Sequence, residues 1–156
     1  MHLIDLLAPT RVVAGISITS KKRLLELLAT RLADGGSAEL ERRIFDSLCS
    51  REKLGSTGLG QGVAIPHGRI AGLGAAVGCF VRLSEPLGFD AVDGQPIDLI
   101  FAMAVPEHFT NQHLMLLSQL AEMFSDAAFC ARLRAARDSN ALYAVLSDWQ
   151  ITHAAA

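Results

Sequence analysis

The chain has 156 residues and a mass of 16.7 kDa, near the usual size of one domain, so we expect a single domain over residues 1–156. Hydrophobic residues make up 51% of the chain and charged residues 19%, which supplies a core and carries no signature of disorder. The formal net charge of -2 leaves no positive field to gather phosphate backbones, which argues against a general affinity for nucleic acid.

Membrane insertion and secretion are both disfavoured by the sequence. The strongest apolar run, Leu99–Val105, is about a third of the roughly 20 residues that a membrane-spanning helix needs. The start of the chain contains Asp5 and Pro9 where a signal peptide has an uninterrupted apolar stretch. We therefore expect a cytoplasmic protein. The cysteines lack a CxxC spacing, and we expect three buried, reduced thiols at Cys49, Cys79 and Cys130.

The first third of the chain is predicted to be mainly helical, after a short strand at Val12–Val13. Ser20 can cap a helix over KKRLLELLATRLADGG, in which leucines recur at helical spacing and Gly35–Gly36 ends the run. Ser37 opens a second helical stretch, AELERRIFDSLCSREK, which stops before Gly55.

The middle of the chain is predicted to form the sheet. From Gly55 to Gly68 the sequence GSTGLGQGVAIPHG is expected to be a loop that holds a brief strand at Val63–Ile65. Three β-like segments follow, AVGCFVRL, LGFDAV and PIDLIFAMAV. The last is nearly all apolar, as expected of a strand covered on both faces, so these strands are placed at the centre of the sheet.

Beyond Pro106 the apolar residues return to helical spacing, and those predicted to face the core are Leu114, Leu117, Ala121 and Phe124. Two shorter helices follow, the second capped by Asp138–Ser139, and the tail from about residue 150 is expected to fray. Helices at both ends and strands in the middle predict an α/β fold, a three-layer α/β/α sandwich with a mixed central sheet.

A candidate reactive residue, His67, lies in the glycine-rich segment. Pro66 keeps Ile65 extended and fixes its own φ, which gives His67 a defined direction at a strand end. A neutral imidazole offers a nucleophilic nitrogen, and the preceding glycines can present amides to an anion, for which phosphate is the natural candidate. On spacing alone, an incidental histidine in a tight glycine turn fits at least as well. The segment matches neither a P-loop nor a dinucleotide fingerprint, so no nucleotide site is predicted.

A longer stretch around His67 resembles a known signature. The sequence REKLGSTGLGQGVAIPHGR, residues 51–69, resembles the active-site signature of the IIA components of the bacterial phosphoenolpyruvate-dependent phosphotransferase system (PTS), of the fructose/mannitol type. The resemblance continues through SKKRLLELLATRLA, FDAVDGQPIDLIFAMAVP and TNQHLMLLSQLAEMF and covers nearly the whole chain. Within the family it is most similar to the nitrogen-regulatory IIA proteins. It implies one PTS IIA type-2 domain with the α/β/α fold.

The resemblance assigns roles to three residues. His67, in the Pro-His-Gly motif, corresponds to the histidine that the family phosphorylates on Nε2. His113, in NQHL at the start of a helix, corresponds to the second active-site histidine, and Arg51 to the active-site arginine; with nearby loop amides, both would stabilise the transferred phosphoryl group. Neither a metal nor an organic cofactor is implied. On the residues alone His113 is a weak candidate, because a histidine at a helix start is more often a surface residue.

The implied function is that of a phosphohistidine carrier and regulator, a phosphotransferase component. It would accept a phosphoryl group on His67 from an HPr-like phosphocarrier and regulate targets, such as potassium-uptake or nitrogen-control components, by its phosphorylation state. The alternative is a sugar-transport IIA component that passes phosphate to a IIB partner in fructose or mannitol uptake. It ranks second because no IIB domain is attached and the regulatory branch is more similar. A binding protein that leaves His67 unused ranks third, because the motif is intact.

Other polar and sulfur-containing residues are given structural roles. His108 and His113 are five residues apart and would not share a helix face, so a metal pair is not expected. The charges of Lys21–Arg23 are expected to be exposed on a helix. The methionines expected to fill the core are Met103, Met115 and Met123.

Overall fold

The computed structural model describes residues 2–153, with side chains described as far as Trp149 in the last helix. In that part of the chain the α-helices are α1 (Lys21–Ala33), α2 (Ala38–Lys53), α3 (Asn111–Ser125), α4 (Ala127–Ala135) and α5 (Ser139–His153). The strands are β1 (Val12–Ile16), β2 (Gly58–Gly60), β3 (Val63–Ala64), β4 (His67–Ile70), β5 (Val77–Leu87) and β6 (Ile97–Pro106). Two short 3-10 helices, Leu3–Leu6 and Pro9–Arg11, precede β1.

The strands form one mixed sheet in the order β1-β5-β6-β3-β2, and β4 also pairs with β6. β6 runs antiparallel to β5 and parallel to β3 and β4. Every residue of β6 except Asp98 is buried, in agreement with its apolar sequence. The predicted mixed sheet with this strand at its centre is confirmed.

Helices cover both faces of the sheet, which confirms the predicted three-layer α/β/α sandwich. On one face α1 and α2 bury a cluster that includes Leu24, Leu28, Ile44, Leu48, Ile100 and Ala102. On the other face α3, α4, α5 and the first 3-10 helix bury a second cluster that includes Phe80, Phe101, Met103, Leu116, Leu120 and Phe124. The sheet therefore separates two cores, and each strand residue faces one or the other.

The predicted helix caps are confirmed. The Ser20 hydroxyl oxygen accepts a hydrogen bond from the Arg23 backbone N–H at the start of α1, and α1 ends at Asp34, which has φ 45°. The Ser37 hydroxyl caps α2 in the same way, and Asp138 accepts a hydrogen bond from the Ala141 N–H before α5.

The predicted strand LGFDAV is wrong. β5 continues as far as Leu87, and the chain then forms a loop in which Asp90 has φ 54°, outside the β region. Phe89 and Ala91, which suggested a strand, are 1% and 8% exposed within this loop. Their burial without strand pairing explains the apolar pattern. The segment from Gly55 to Gly68 holds more strand than predicted, because β2, β3 and the start of β4 all lie in it.

The predicted core face of α3 is wrong except at Phe124. The buried residues of α3 are His113, Leu116, Leu120, Met123 and Phe124. Leu114 and Met115 are 64% and 59% exposed, Leu117 is half-buried and Ala121 is exposed. α3 carries two adjacent apolar stripes, and helical spacing alone does not show which one packs on the sheet. The stripe that does so contains Phe124, whose ring stacks on that of Phe80 at 6.2 Å.

The cysteines match the prediction with one exception. Cys79 and Cys130 are buried free thiols, and burial raises the pKa of Cys79 to about 12. Cys49 is half-buried rather than buried, because it lies on the flank of α2 between the core face and solvent.

The helices also bear on the expected absence of a membrane span. In the described part of the chain, no single helix is long and apolar enough to cross a membrane. Taken together, α3 and α4 reach that length and apolar composition, but they are bent by 80° where they meet. α5 is helical as far as His153, and residues 154–156, which belong to the tail expected to fray, lie outside the described residues.

Candidate functional site

The Pro-His-Gly motif is held in the sheet by β6. The Pro66 carbonyl accepts a hydrogen bond of 3.0 Å from the Met103 N–H, and His67 then pairs with Met103 in parallel register. His67 thus faces the same layer as Met103, toward α3. Gly68 faces the opposite layer, where an added Cβ would lie 2.2 Å from the Ser47 Oγ on α2. The glycine is required because α2 approaches the strand so closely.

The protonation state of His67 follows from its surroundings. Its Nδ1 lies 2.7 Å from the Ile65 carbonyl oxygen, and since a carbonyl only accepts hydrogen bonds, Nδ1 carries the hydrogen. Burial, reinforced by the positive charge of Arg51, lowers the pKa of His67 below its usual value, although the bond to Ile65 and the charge of Glu52 act in the other direction. At neutral pH His67 is therefore uncharged, with the lone pair on Nε2.

His113 lies in the first turn of α3 and meets His67 edge-on. The two ring centroids are 5.1 Å apart with an interplanar angle of 81°. The Nε2 of His113 is buried and has no hydrogen-bond partner within the described part of the chain. Burial is the main reason that the pKa of His113 falls to about 4, and the neighbouring His67 ring, which would repel a second positive charge, and the arginines Arg69 and Arg51 lower it further. A buried polar atom without a partner is costly, so Nε2 marks a place where a ligand atom would be stabilised.

Two arginines border the histidine pair. Arg51, in the last turn of α2, lines the depressions on both sides of His67, and its Nη1 donates a 2.8 Å hydrogen bond to the Gly55 carbonyl. Arg69 follows His67 by two residues on β4 and lines the depression that also holds His113. The sequence reasoning missed Arg69. The alternation of side chains along a strand would have indicated it, because residues two apart share one face.

The structure thus brings together the three predicted site residues, His67, His113 and Arg51, around one depression. It does not support the expected contribution of loop amides at four positions, because those N–H groups already donate within the chain. The amides of Gly55 and Thr57 donate to Glu52, that of Gly58 to the Ser56 hydroxyl oxygen, and that of Gln61 to the Asp93 carboxylate.

Behind the depression lies an ion pair that the sequence did not indicate. The Glu52 side chain is only 5% exposed, and its Oε1 lies 3.1 Å from Lys21 Nζ. Lys21 was expected to be an exposed charge, but its side chain is 26% exposed, and its ammonium group lies 4.1 Å from the centre of the Phe89 ring. The expectation fails because a buried carboxylate and an aromatic face are both within reach of the first residue of α1.

Comparison with known proteins identifies the family. The family model described as phosphoenolpyruvate-dependent sugar phosphotransferase system, EIIA 2, matches residues 5–149. The chain belongs to this family. All three predicted site residues of this type 2 EIIA chain fall within the matched span.

Individual EIIA relatives cover most of the chain. A nitrogen regulatory protein of Bradyrhizobium diazoefficiens is 41% identical over 147 residues, which is 94% of this chain and 95% of the relative. The crystal structure of nitrogen regulatory protein IIA-Ntr from Neisseria meningitidis is 43% identical, with a TM-score of 0.86 over 92% of this chain and 98% of that chain. The predicted family and its nitrogen-regulatory branch are confirmed: the chain is a homologue of these proteins.

A more distant EIIA structure shows the same fold. Enzyme IIAMtl of Escherichia coli, solved in complex with phosphorylated enzyme IIBMtl, is 20% identical, with a TM-score of 0.74 over 91% of this chain and 97% of that chain.

The buried histidines predict how stability depends on pH. The pKa of an exposed histidine is near 6.5, whereas the pKa of His113 in the folded chain is about 4. Between these two pH values the unfolded chain binds more protons than the folded chain. The free energy of unfolding therefore falls as the pH falls. For His113 alone the loss is roughly 3 kcal/mol between about pH 7 and pH 4. Urea unfolding across this range checks it. Because carboxylates titrate there too, the comparison is with His113→Gln, whose decline should be smaller. Parallel declines in the two proteins would contradict the prediction.

Proposed function

We propose that this EIIA chain acts as a single-domain phosphohistidine carrier and regulator, in which Nε2 of His67 accepts a phosphoryl group from an HPr-like phosphocarrier. The observation that carries the proposal is the hydrogen bond from His67 Nδ1 to Ile65, which leaves Nε2 as the nucleophilic atom beside His113 and Arg51. The cysteines are unpaired, as is usual in a reducing compartment, and we place the reaction in the cytoplasm.

The transfer needs no proton to be moved by His67. As the donor imidazole leaves the phosphorus atom, the lone pair of His67 Nε2 forms the new N–P bond, and the Nδ1 hydrogen stays in place. The His67 ring gains positive character in this step, which strengthens its hydrogen bond to the Ile65 carbonyl. The remaining demand is to stabilise negative charge on the phosphoryl oxygens, a task for positioned donors.

His113 and Arg51 are placed for that task. A phosphoryl oxygen on His67 would give the buried Nε2 of His113 the partner that it lacks. The guanidinium of Arg51, which donates to Gly55 in the unphosphorylated chain, can turn to the same group and bind it through two N–H bonds. The developing negative charge also raises the pKa of His113, which favours its charged, donating form.

The surface around His67 suits a protein donor with an apolar face. Leu54, Leu59 and Leu114 are 85%, 44% and 64% exposed, and each borders a depression that contains His67. Apolar side chains that encircle a reactive group in this way are typical of a surface that a partner covers. We assign it to the phosphocarrier, because these side chains border the two depressions that His67 itself lines.

The regulatory role is supported by the homologues named nitrogen regulatory protein, which match this chain over nearly their full length. Their targets would bind over the same surface, and the proposed candidates are potassium-uptake or nitrogen-control components. Phosphorylation adds close to two negative charges beside His67 and so penalises any target that docks an apolar or acidic surface there. Binding would then depend on the phosphorylation state.

The proposal is tested by incubating the protein with phosphoenolpyruvate, the first enzyme of the system and a phosphocarrier. One acid-labile phosphoryl group per chain is expected, and peptide mapping should locate it on His67. If the wild-type chain stays unlabelled while the phosphocarrier is phosphorylated, the proposal fails.

The regulatory part predicts a difference in partners between two substitutions. His67→Glu imitates part of the phosphoryl charge and should lose at least one partner that His67→Ala retains, because the carboxylate opposes docking over the depression. Affinity capture with the two variants, compared by mass spectrometry, measures this. Identical partner sets would favour the alternative, a sugar-transport component that relays phosphate to a IIB protein.

A further inference from the structure

Glu52 is a buried carboxylate with three hydrogen-bond donors around it. It lies in the last turn of α2, beside Arg51, and the residue as a whole, backbone included, is 9% exposed. Its Oε1 accepts from the Thr57 N–H at 3.2 Å and faces Lys21 Nζ at 3.1 Å, and its Oε2 accepts from the Thr57 hydroxyl. Burying a charge is costly unless it is paired and hydrogen-bonded, so this arrangement is specific to a carboxylate.

The hydrogen bonds continue from Thr57 to the reactive imidazole. Thr57 is 5% exposed, and its carbonyl accepts a hydrogen bond of 3.0 Å from the Ile65 N–H. The Ile65 carbonyl in turn accepts the His67 Nδ1–H at 2.7 Å. A continuous series of hydrogen bonds therefore joins the carboxylate of Glu52 to the ring of His67, through one side chain and two backbone segments.

Lys21 fixes the far end of this series. Its ammonium group bridges the first turn of α1 to Glu52 at the end of α2 and lies over the face of Phe89. The Phe89 carbonyl also accepts a 2.8 Å hydrogen bond from Ser56, the residue before Thr57. The loop that carries Thr57 is thus held at Ser56 by the Phe89 carbonyl and at Thr57 by the Glu52 carboxylate.

We infer that Glu52, acting through Thr57, is a positioning residue that fixes the Ile65 carbonyl and thereby keeps the hydrogen of His67 on Nδ1 and the lone pair on Nε2. The inference rests on the proposed function, because the orientation matters only if Nε2 is the nucleophile. A neutral imidazole that loses a fixed acceptor at Nδ1 exchanges between its two tautomers, and one of them has no lone pair on Nε2. Loss of Glu52 therefore lowers the reactive fraction of His67 and its alignment.

The test uses the full-length chain and the isosteric change Glu52→Gln, which removes the carboxylate and its pairing with Lys21. Thr57→Val removes only the hydroxyl, and Thr57→Ser keeps it. Glu41→Gln is the matched control, because Glu41 also joins α1 to α2 by accepting from a threonine, Thr30. Glu41 is half-buried rather than buried, and among the described residues it belongs to no hydrogen-bond series that reaches His67. Each protein is measured by ¹⁵N NMR of the His67 ring, by the rate of phosphorylation and by thermal unfolding.

The wild-type chain, Thr57→Ser and Glu41→Gln should show His67 in the Nδ1–H tautomer and rates within about twofold of one another. Glu52→Gln should show both tautomers and a rate lower by about tenfold or more, and Thr57→Val a smaller change in the same direction. A purely structural role would lower the unfolding temperature without changing the tautomer.

A single Nδ1–H tautomer and an unchanged rate in folded Glu52→Gln would overturn the inference. If Glu52→Gln does not fold, Thr57→Val decides, since it leaves the Lys21–Glu52 pair in place; an unchanged ring spectrum there would also overturn it. The tautomer is measured without any phosphoryl donor. A chain that shows the expected spectra but accepts no phosphoryl group would therefore contradict the proposed function and not this inference.

Discussion

Replacing His67 with alanine is expected to abolish phosphoryl acceptance completely. The Nε2 of His67 is the nucleophile of the proposed transfer, and an alanine supplies no atom to which phosphorus can bond. His113 does not substitute for it in the proposed transfer, because its Nε2 donates a hydrogen bond to the phosphoryl oxygens there and so has no lone pair to attack phosphorus. Labelling with phosphoenolpyruvate, the first enzyme and a phosphocarrier, followed by mass spectrometry at neutral pH, measures the loss.

His108→Ala is the control for this experiment. His108 is an exposed histidine in the connection between β6 and α3, outside the depression that holds His67. The His108→Ala variant should be labelled at the wild-type rate and to the wild-type extent. Undiminished labelling of His67→Ala, with both variants folded, would end the assignment of His67 as the acceptor.

Replacing His113 or Arg51 with alanine is expected to slow phosphorylation about a hundredfold while the label stays on His67. Each residue is placed to donate a hydrogen bond to the phosphoryl oxygens, and loss of one such donor typically costs about 3 kcal/mol in the transition state. Single-turnover rates with an excess of phosphorylated carrier measure the effect on the transfer itself. Peptide mapping then shows whether the acceptor has changed.

Matched controls separate this effect from a general loss of charge. Arg42 is an exposed arginine on α2, the helix that carries Arg51, so Arg42→Ala should leave the rate within about twofold of wild type. His108→Ala serves the same purpose for His113. Wild-type rates in both His113→Ala and Arg51→Ala would remove the two residues from the mechanism.

The features that sequence reasoning predicted correctly depend on local chemistry. Ser20 and Ser37 cap helices because a side-chain hydroxyl satisfies an N–H three residues later, and nothing distant is needed. β6 is recognisable because a strand between two helical layers is apolar on both faces. The family was recognised through the long motif that surrounds His67, while the role of that histidine as acceptor stays a prediction.

The features that were missed depend on contacts between distant parts of the chain. The core face of α3 is decided by the aromatic ring of Phe80, which is on β5 and invisible to the helical period of α3. From the sequence, Glu52 resembles any exposed charge near the end of a helix. Its burial depends on its contacts with Lys21 and Thr57, which only the structure shows. Arg69 was missed because the chain at His67 was predicted as part of a loop, whereas β4 is a strand whose alternation places Arg69 on the same face as His67.

The pairing of β6 with two short strands has a consequence for changes in chain length. Val63 pairs with Leu99 and His67 pairs with Met103, so both strands keep the same sequence separation from β6. Successive residues in a strand face opposite layers, so one residue inserted or deleted between β3 and β4 would force one of the two pairings to shift by one position. If β4 shifted, the imidazole would point into the layer of α2, where there is no room even for a Cβ. The number of residues between Val63 and His67 is therefore fixed by the pairing of both strands with β6.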